Sequence, residues 1–451
     1  MTGSPRVSFV FVAALALLAP AALAAQNPRA PAPRVPVSNP QQDSIKEALD
    51  SLTDRLERAE QTLERLQHQL EEQSQSKIQT RSRNHLEISG LILFNGFYTD
   101  TKTNNSDVPT FVAQPVPGDT LLPNPAHAAA EVRQTRLGFT LSGSHALGAD
   151  LGADLQLDFY GGQEPSSGGR IFPVPRIRTA AVHLDWPHVG LLVGQETQII
   201  SPLNPVSFAS VGIPGFTNAG NLWFWVPQVR LTLETGAAPR FGIQGAALAP
   251  MLGSPQTPFL TTADSAERSK RPMAQGRVYI GWGDGETESE IGFGAHRGWI
   301  STPADTLLTS QAFTGDLRLA LGEKILIQAE GYLNGRALAG LGGGGIGQEF
   351  DSLGAAVQSR GGWAQLNLRP SLSWEFGGGA GIDDLKKNAQ GNLVNALSAK
   401  GRSRNVVYEG HVHVRPGGGL IFGVEYRRIA TTYSAGTLTA NHVNGFMGVA
   451  F

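Results

Sequence analysis

Residues 150–160, DLGADLQLDFY, alternate between apolar Leu151, Ala153, Leu155, Leu157 and Phe159 and the intervening Asp150, Gly152, Asp154, Gln156 and Asp158. A period of two is that of a β-strand with one apolar and one wet face. Which face looks inward decides everything else. In a soluble sandwich the leucines are core; in a transmembrane barrel they meet lipid and the aspartates line a wet lumen.

The spacing of the turns favours the barrel. Seven tight turns punctuate the chain after His85: Ala146 to Asp150, Trp186 to Val189, Thr235 to Arg240, Gly283 to Glu288, Leu321 to Lys324, Arg369 to Ser373 and Arg415 to Gly419. Between them lie longer polar or Gly- and Pro-rich stretches near 99–130, 161–174, 198–223, 250–271, 301–311, 336–350, 384–404 and 432–436. Short turns at one rim and long loops at the other are what an outer-membrane barrel needs. Seven hairpins plus an opening and a closing strand predict an all-β fold, a 16-stranded antiparallel transmembrane β-barrel over 84–451. Eighteen strands follow if a long loop hides a hairpin. Trp186, Trp282, Trp299, Trp374 and Tyr426 fall near strand ends on the outward parity, as interface girdles do. Alternation slips between Val357 and Ala364, which predicts a bulge at Arg360-Gly361-Gly362.

Composition agrees. With 41% hydrophobic residues and 55 glycines, no segment reads as a dense soluble core, although the length implies about three ordinary domains. A net charge of −2 and 16% charged residues give no polybasic field, so no nucleic-acid partner is expected. The absence of cysteine is permissive of a barrel and proves nothing.

Ahead of the barrel, residues 1–25 read as a signal peptide: Arg6, an apolar run and the exit Ala22-Leu23-Ala24. A proline-rich linker spans 26–41. Residues 42–77 then carry Ile45, Leu49, Leu52, Leu56, Ala59, Leu63, Leu66, Leu70 and Gln73 at successive a and d positions. That seam predicts an α-helical coiled-coil oligomerisation stalk in the periplasm, with a single amphipathic helix as the alternative. Leucine at both positions does not choose among two, three and four strands. The last strand, NGFMGVAF, ends on Phe451, a terminal aromatic of the kind by which the barrel assembly machinery recognises its clients. These features place the chain in the bacterial outer membrane, with lipid as its surroundings.

Parity assigns Arg136, Arg230, Arg277, Arg318 and Arg427 to the lumen, together with acids that include Asp154, Asp158, Glu234, Glu290, Asp316, Glu330, Glu375, Glu409 and Glu425. The stretch IISPLNPVSFASVGIPGFTNAGNLWFWVPQVR holds Phe208, Phe216, Trp223, Phe224 and Trp225. So apolar a loop suits bulk water poorly, and is expected to fold into the barrel as a constriction or to pack on a neighbouring subunit.

At this loop the sequence resembles the DcaP-like trimeric porins of the outer membrane. Gly194-Gln195 before the loop, Pro227-Gln228-Val229-Arg230 after it and Gly361-Gly362-Trp363-Ala364-Gln365 later match that family's elements. Trp225-Val226 stands where the family carries an arginine. The resemblance spans stalk and barrel and implies a homotrimer, passage of small organic anions such as dicarboxylates, and Gln228 and Arg230 as pore-lining residues. A structural outer-membrane anchor, a non-selective porin and a cation-preferring porin are the alternatives, the last because inward acids outnumber arginines. No enzyme, metal or cofactor is expected. His411 and His413 share a strand face near Glu409, but no further ligand is evident in sequence, and the glycine run at 342–345 lacks the Lys-Ser/Thr of a phosphate loop.

Overall fold

A computed structural model describes residues 77–79, 84–114, 125–161, 172–236, 238–252, 263–398 and 400–451. The signal peptide, the linker and the heptad leucines Leu49, Leu52, Leu56, Leu63, Leu66 and Leu70 lie outside the described residues.

Eighteen strand segments make one antiparallel sheet: β1 (Lys77–Gln79), β2 (His85–Thr99), β3 (His127–Glu131), β4 (Arg136–Ala146), β5 (Ala149–Asp158), β6 (Arg176–Trp186), β7 (Val189–Thr197), β8 (Trp225–Glu234), β9 (Arg240–Leu248), β10 (Met273–Trp282), β11 (Ser289–Ser301), β12 (Leu307–Leu321), β13 (Ile325–Arg336), β14 (Gln358–Ser371), β15 (Trp374–Leu385), β16 (Arg402–Gly417), β17 (Leu420–Tyr433) and β18 (Gly436–Ala450). Only sixteen are positions in the wall. β3 and β4 together run beside β2, pairing with Asn95–Thr99 and His85–Leu91 respectively. β1 pairs with the foot of β2, below the point where β18 ends. β18 closes the ring against Leu91–Thr99, and Phe451 exchanges backbone hydrogen bonds with Gly90. All seven tight turns join the strands expected of them.

The surface is inverted relative to a soluble protein. On β10, Val278 is 50% exposed while its neighbour Arg277 is 4% exposed; on β18, Met447 is 55% exposed while Asn444 is fully buried. The same alternation puts Phe293, Phe313, Val424 and Ile243 outward. A band of large apolar side chains around a polar interior is stable only where lipid meets the wall.

One expectation is corrected. β14 keeps its register with β15 through Arg360-Gly361-Gly362, so no bulge lies there. The extra residue sits on β13 between Tyr332 and Gly335. Val357 misled the count: it is apolar but turned inward, packed with Ile346 and Leu385 beneath the outer loops. A second irregularity, which the sequence reading did not address, lies at Arg176 and Arg178 of β6. Counting back from Ala180, Val182 and Leu184 puts both arginines outward, yet Ile177 pairs with Leu157 while Thr179 pairs with Gln156. Arg178 is therefore the extra residue of a β-bulge, and both arginines reach the lumen.

Candidate functional site

The loop joining β7 to β8, residues 198–224, does not stand in solvent. Ile199, Ile200, Phe216, Ala219, Leu222 and Phe224 are buried, as are Gln198, Ser201 and Asn221. Its backbone crosses the barrel and is held on the far wall by carboxylates. Glu330 of β13 accepts from Ser201 Oγ at 2.5 Å and from Leu203 N at 2.7 Å. Gln365 of β14 accepts from Val206 N at 2.7 Å. Glu425 of β17 accepts from Ser207 Oγ and Phe208 N, both at 2.5 Å. Acids that sequence parity assigned to the lumen are thus spent on the loop.

The Gly361-Gly362-Trp363 element receives the loop. A Cβ on Gly220, whose φ is +98°, would stand 2.2 Å from the nitrogen of Gly362, so backbone meets backbone without side chains between. Trp363 stacks on Phe216 with ring centroids 5.7 Å apart. Phe216 and Phe224 are anchors in the packing, and Phe208 lies 4.9 Å from the rings of His413 and Phe446. Trp223 and Trp225, 5.0 Å apart, are half-buried.

Two further loops fold inward, which the sequence did not suggest. In the first, Asp107 accepts from Nε and Nη2 of Arg133, and Arg427 donates to the carbonyl of Pro109 at 3.0 Å. In the loop after β13, Leu338, Leu341 and Ile346 are buried, and Gly342 accepts from Asn218 N. Between these loops lies a cavity of about 770 Å³ lined by Arg133, Arg176, Arg402, Phe111, Tyr160 and Trp223. A second of about 400 Å³, near the short-turn rim, is lined by His183, Asp185, Glu196, Arg230 and Glu234.

Asp158 organises the wall between them. It is fully buried and accepts from Arg176 at 3.0 and 2.6 Å and from Arg178 at 3.2 Å. The same guanidiniums donate to the loop carbonyls of Gly212, at 2.6 Å, and Val211, at 2.5 Å. Gln195 of the Gly194-Gln195 element braces the bulge, donating to the carbonyls of Ile177 and Arg178 at 3.1 and 2.9 Å. Arg178 lies 4.2 Å over the ring of Trp225, which puts a guanidinium where the chain itself carries tryptophan.

The remaining lumen candidates divide by their partners. Arg277 is buried against Asp316 and Glu290, and Arg427 against Glu409. Gln228 is buried and brackets the carbonyls of Glu196 and Thr197. Arg318 donates to the carbonyl of Glu288 at 3.1 Å. Asp154 holds Thr179 and His183. Arg230 donates to Gln228 and to the carbonyl of Thr197. Arg136, paired across strands with Asp158 and Leu91, shares their inward face and is exposed. Sequence reasoning missed Arg133, Arg176, Arg178 and Arg402. The signal for two of them was present: the apolar set changes parity between Ile177 and Ala180.

No family model and no curated relative matches the sequence. Solved structures do. The outer membrane channel DcaP of Acinetobacter baumannii superposes with a TM-score of 0.61 at 15% identity, over 83% of this chain and 100% of that one. The anion-selective porin from Comamonas acidovorans gives 0.50 at 12% identity, over 82% and 100%. OmpT, an outer membrane protein of Vibrio cholerae, gives 0.50 at 9% identity, over 83% and 99%. The chain therefore has the outer-membrane porin fold, a closed barrel of sixteen strands.

Proposed function

We propose that the protein is an outer-membrane porin, a diffusion channel for small hydrophilic solutes that prefers organic anions such as dicarboxylates. One observation carries the preference: the two sides of the lumen differ in which charges remain available. Glu330 and Glu425 on the far wall are engaged by loop donors, and Asp316 and Glu409 by arginines. On the β4–β8 wall, Arg136, Arg176 and Arg230 keep part of the guanidinium toward water. A planar fork of donors suits a carboxylate better than a point charge does. The shared fold of the anion-selective porin from Comamonas acidovorans is consistent with this reading.

The working form is a homo-oligomer, a trimer by resemblance, joined by the heptad seam and set in the outer membrane with the stalk in the periplasm. Reversal potentials in planar bilayers under a salt gradient test the selectivity. Wild type should favour anions, and Arg136→Ser with Arg230→Ser should shift the potential toward cations and slow dicarboxylate uptake into liposomes. A cation-selective wild type in which the double substitution is silent overturns the anion reading.

A further inference from the structure

Three strands bring a different group of side chains together on the wall opposite the arginines. Asn367 of β14, Gly377 of β15 and His411 of β16 are direct cross-strand neighbours, with Glu375 and His413 forming the adjacent row. Gly377 has no side chain, so its neighbours close over it. The point where a Cβ would stand is 2.3 Å from His411 Nε2 and 2.5 Å from Asn367 Oδ1. Both atoms are buried, and neither has a hydrogen-bond partner among the described residues. Native interiors rarely leave two such atoms unmatched side by side.

Glu375 completes the cluster. Its Oε2 accepts from Arg369 at 2.6 Å and lies 3.4 Å from Arg415, whereas Oε1 lies 3.1 Å from His413 Nδ1 and 3.6 Å from His411 Nε2. On its other side His413 Nε2 is 2.9 Å from Glu425 Oε1, and in the tautomer that places the N–H there the Nδ1 lone pair faces Glu375. Two acceptors 3.1 Å apart require a cation between them, either a second proton on the ring or a metal ion. The separations of 3.1 and 3.6 Å bracket the roughly 3.3 Å between ligands around a tetrahedral ion at ~2.0–2.1 Å.

We infer that Glu375, His411 and His413, with Asn367 as fourth donor, form a binding site for a divalent transition ion, with Zn²⁺ the best match. Two imidazoles and a carboxylate are the donor set of such ions and not of Mg²⁺ or Ca²⁺. The donor atoms of Glu375, His411 and His413 all lie within 4.8 Å of one another. Glu425 serves as the outer carboxylate that orients His413, and Arg369 and Arg415 turn Oε1 of Glu375 inward. Because the His411 and His413 rings are stacked nearly parallel with centroids 3.9 Å apart, both lone pairs reach one ion only after the His411 ring rotates out of the stack. Glu409, the acid nearest the histidines in sequence, is not part of the site, being paired with Arg427 at 3.1 Å. Because Glu425 also holds Ser207 and Phe208, the ion would stiffen the wall where the constriction loop is fastened.

Calorimetric titration of Zn²⁺ alone into full-length, chelator-treated protein in detergent tests this. One ion per barrel should bind, with proton release read from two buffers of different ionisation heat. His411→Ala should weaken binding at least tenfold. Gly377→Ala, which keeps every ligand but drives a methyl group against His411 and Asn367, should do the same, and His145→Ala, at an exposed histidine, should not. Heat-modifiable migration in gels confirms that each variant is a folded barrel. The inference is overturned by absence of stoichiometric binding in wild type, by binding that survives both His411→Ala and Gly377→Ala, or by binding that is lost with His145→Ala.

Discussion

Asp158→Asn isolates the electrostatics of the arginine wall with almost no change of volume. The carboxylate is fully buried and neutralises part of the Arg176–Arg178 pair, 2.6 and 3.2 Å away. Asparagine can still accept at Oδ1 from Tyr160 N and Arg176 Nε, each at 3.0 Å in the native site, but it returns one unit of positive charge to the wall. For a monovalent anion passing ~7 Å away, one charge is worth about 0.6 kcal/mol in a water-like medium and ~2.4 kcal/mol at an effective dielectric of 20. Screening at 0.1 M salt roughly halves both. A gain of ~0.3–1 kcal/mol for anions, matched by an equal loss for cations, multiplies the anion-to-cation permeability ratio by about threefold to thirtyfold.

The assay is the zero-current potential of single channels or of many channels under a salt gradient. Because leaving the buried Arg178 and the half-buried Arg176 short of an acceptor costs up to ~3–5 kcal/mol, the variant must first be shown to migrate as a folded barrel. The expected result is a larger anion-side potential that collapses toward wild type at 1 M salt, where the Debye length is ~3 Å. A folded Asp158→Asn channel with unchanged selectivity would mean that solutes do not pass the β4–β8 wall. A shift toward cations would refute the sign of the argument.

Three further outcomes follow from the same geometry. Cysteine at position 154 should react with a small charged thiol reagent in the native membrane and cysteine at 155 should not; labelling at 155 alone would reverse the inward and outward faces. Leu157→Arg, at the outer end of β5, should hinder membrane assembly by ~1 kcal/mol, read as refolding yield in lipid vesicles. In the outer loops, burial raises the carboxyl of Glu349 above its ordinary range, with Ser265 donating to it at 2.7 Å. A raised folded pKa means its contribution is complete below the ordinary carboxylate value and is lost as pH climbs through the raised one. Hydrogen exchange in residues 344–352 should therefore speed up with pH beyond the intrinsic trend, and Glu349→Gln should remove the excess.

Strand positions were legible because each hairpin turn carries its own chemistry, Ala-Leu-Gly-Ala-Asp or Arg-Pro-Gly-Gly-Gly, and because one face of every strand must satisfy lipid. The lumen was less legible, since a barrel's interior is filled by whatever the loops bring into it. Val357 is apolar and inward because the loop around Ile346 covers it, and Asp107 finds Arg133 through a loop fold that no periodicity announces. Contacts of this kind join residues as far as 321 apart in sequence, as Val112 and Tyr433 are.

The arginine wall shows how a single local irregularity carries functional weight. Strict alternation puts Arg176 and Arg178 on the lipid side at the outer end of β6, where an arginine costs ~0–1 kcal/mol near the interface and more with depth. The alternative was written in the same segment, where the apolar set passes from Ile177 to Ala180, three residues on, and so changes parity. One bulge resolves both facts, and Gln195 supplies two donors to the carbonyls that the bulge releases from the ladder. The resemblance noted at Gly194-Gln195 thus has a mechanical basis: a glutamine on the lipid side steadies a kink that turns charge into the lumen. Gln195→Leu should loosen that kink, and with it the seat of Arg178 over Trp225. The expected signature is a loss of anion preference with the barrel still folded, from a substitution outside the pore; unchanged selectivity would show that Asp158 alone holds the arginines in place.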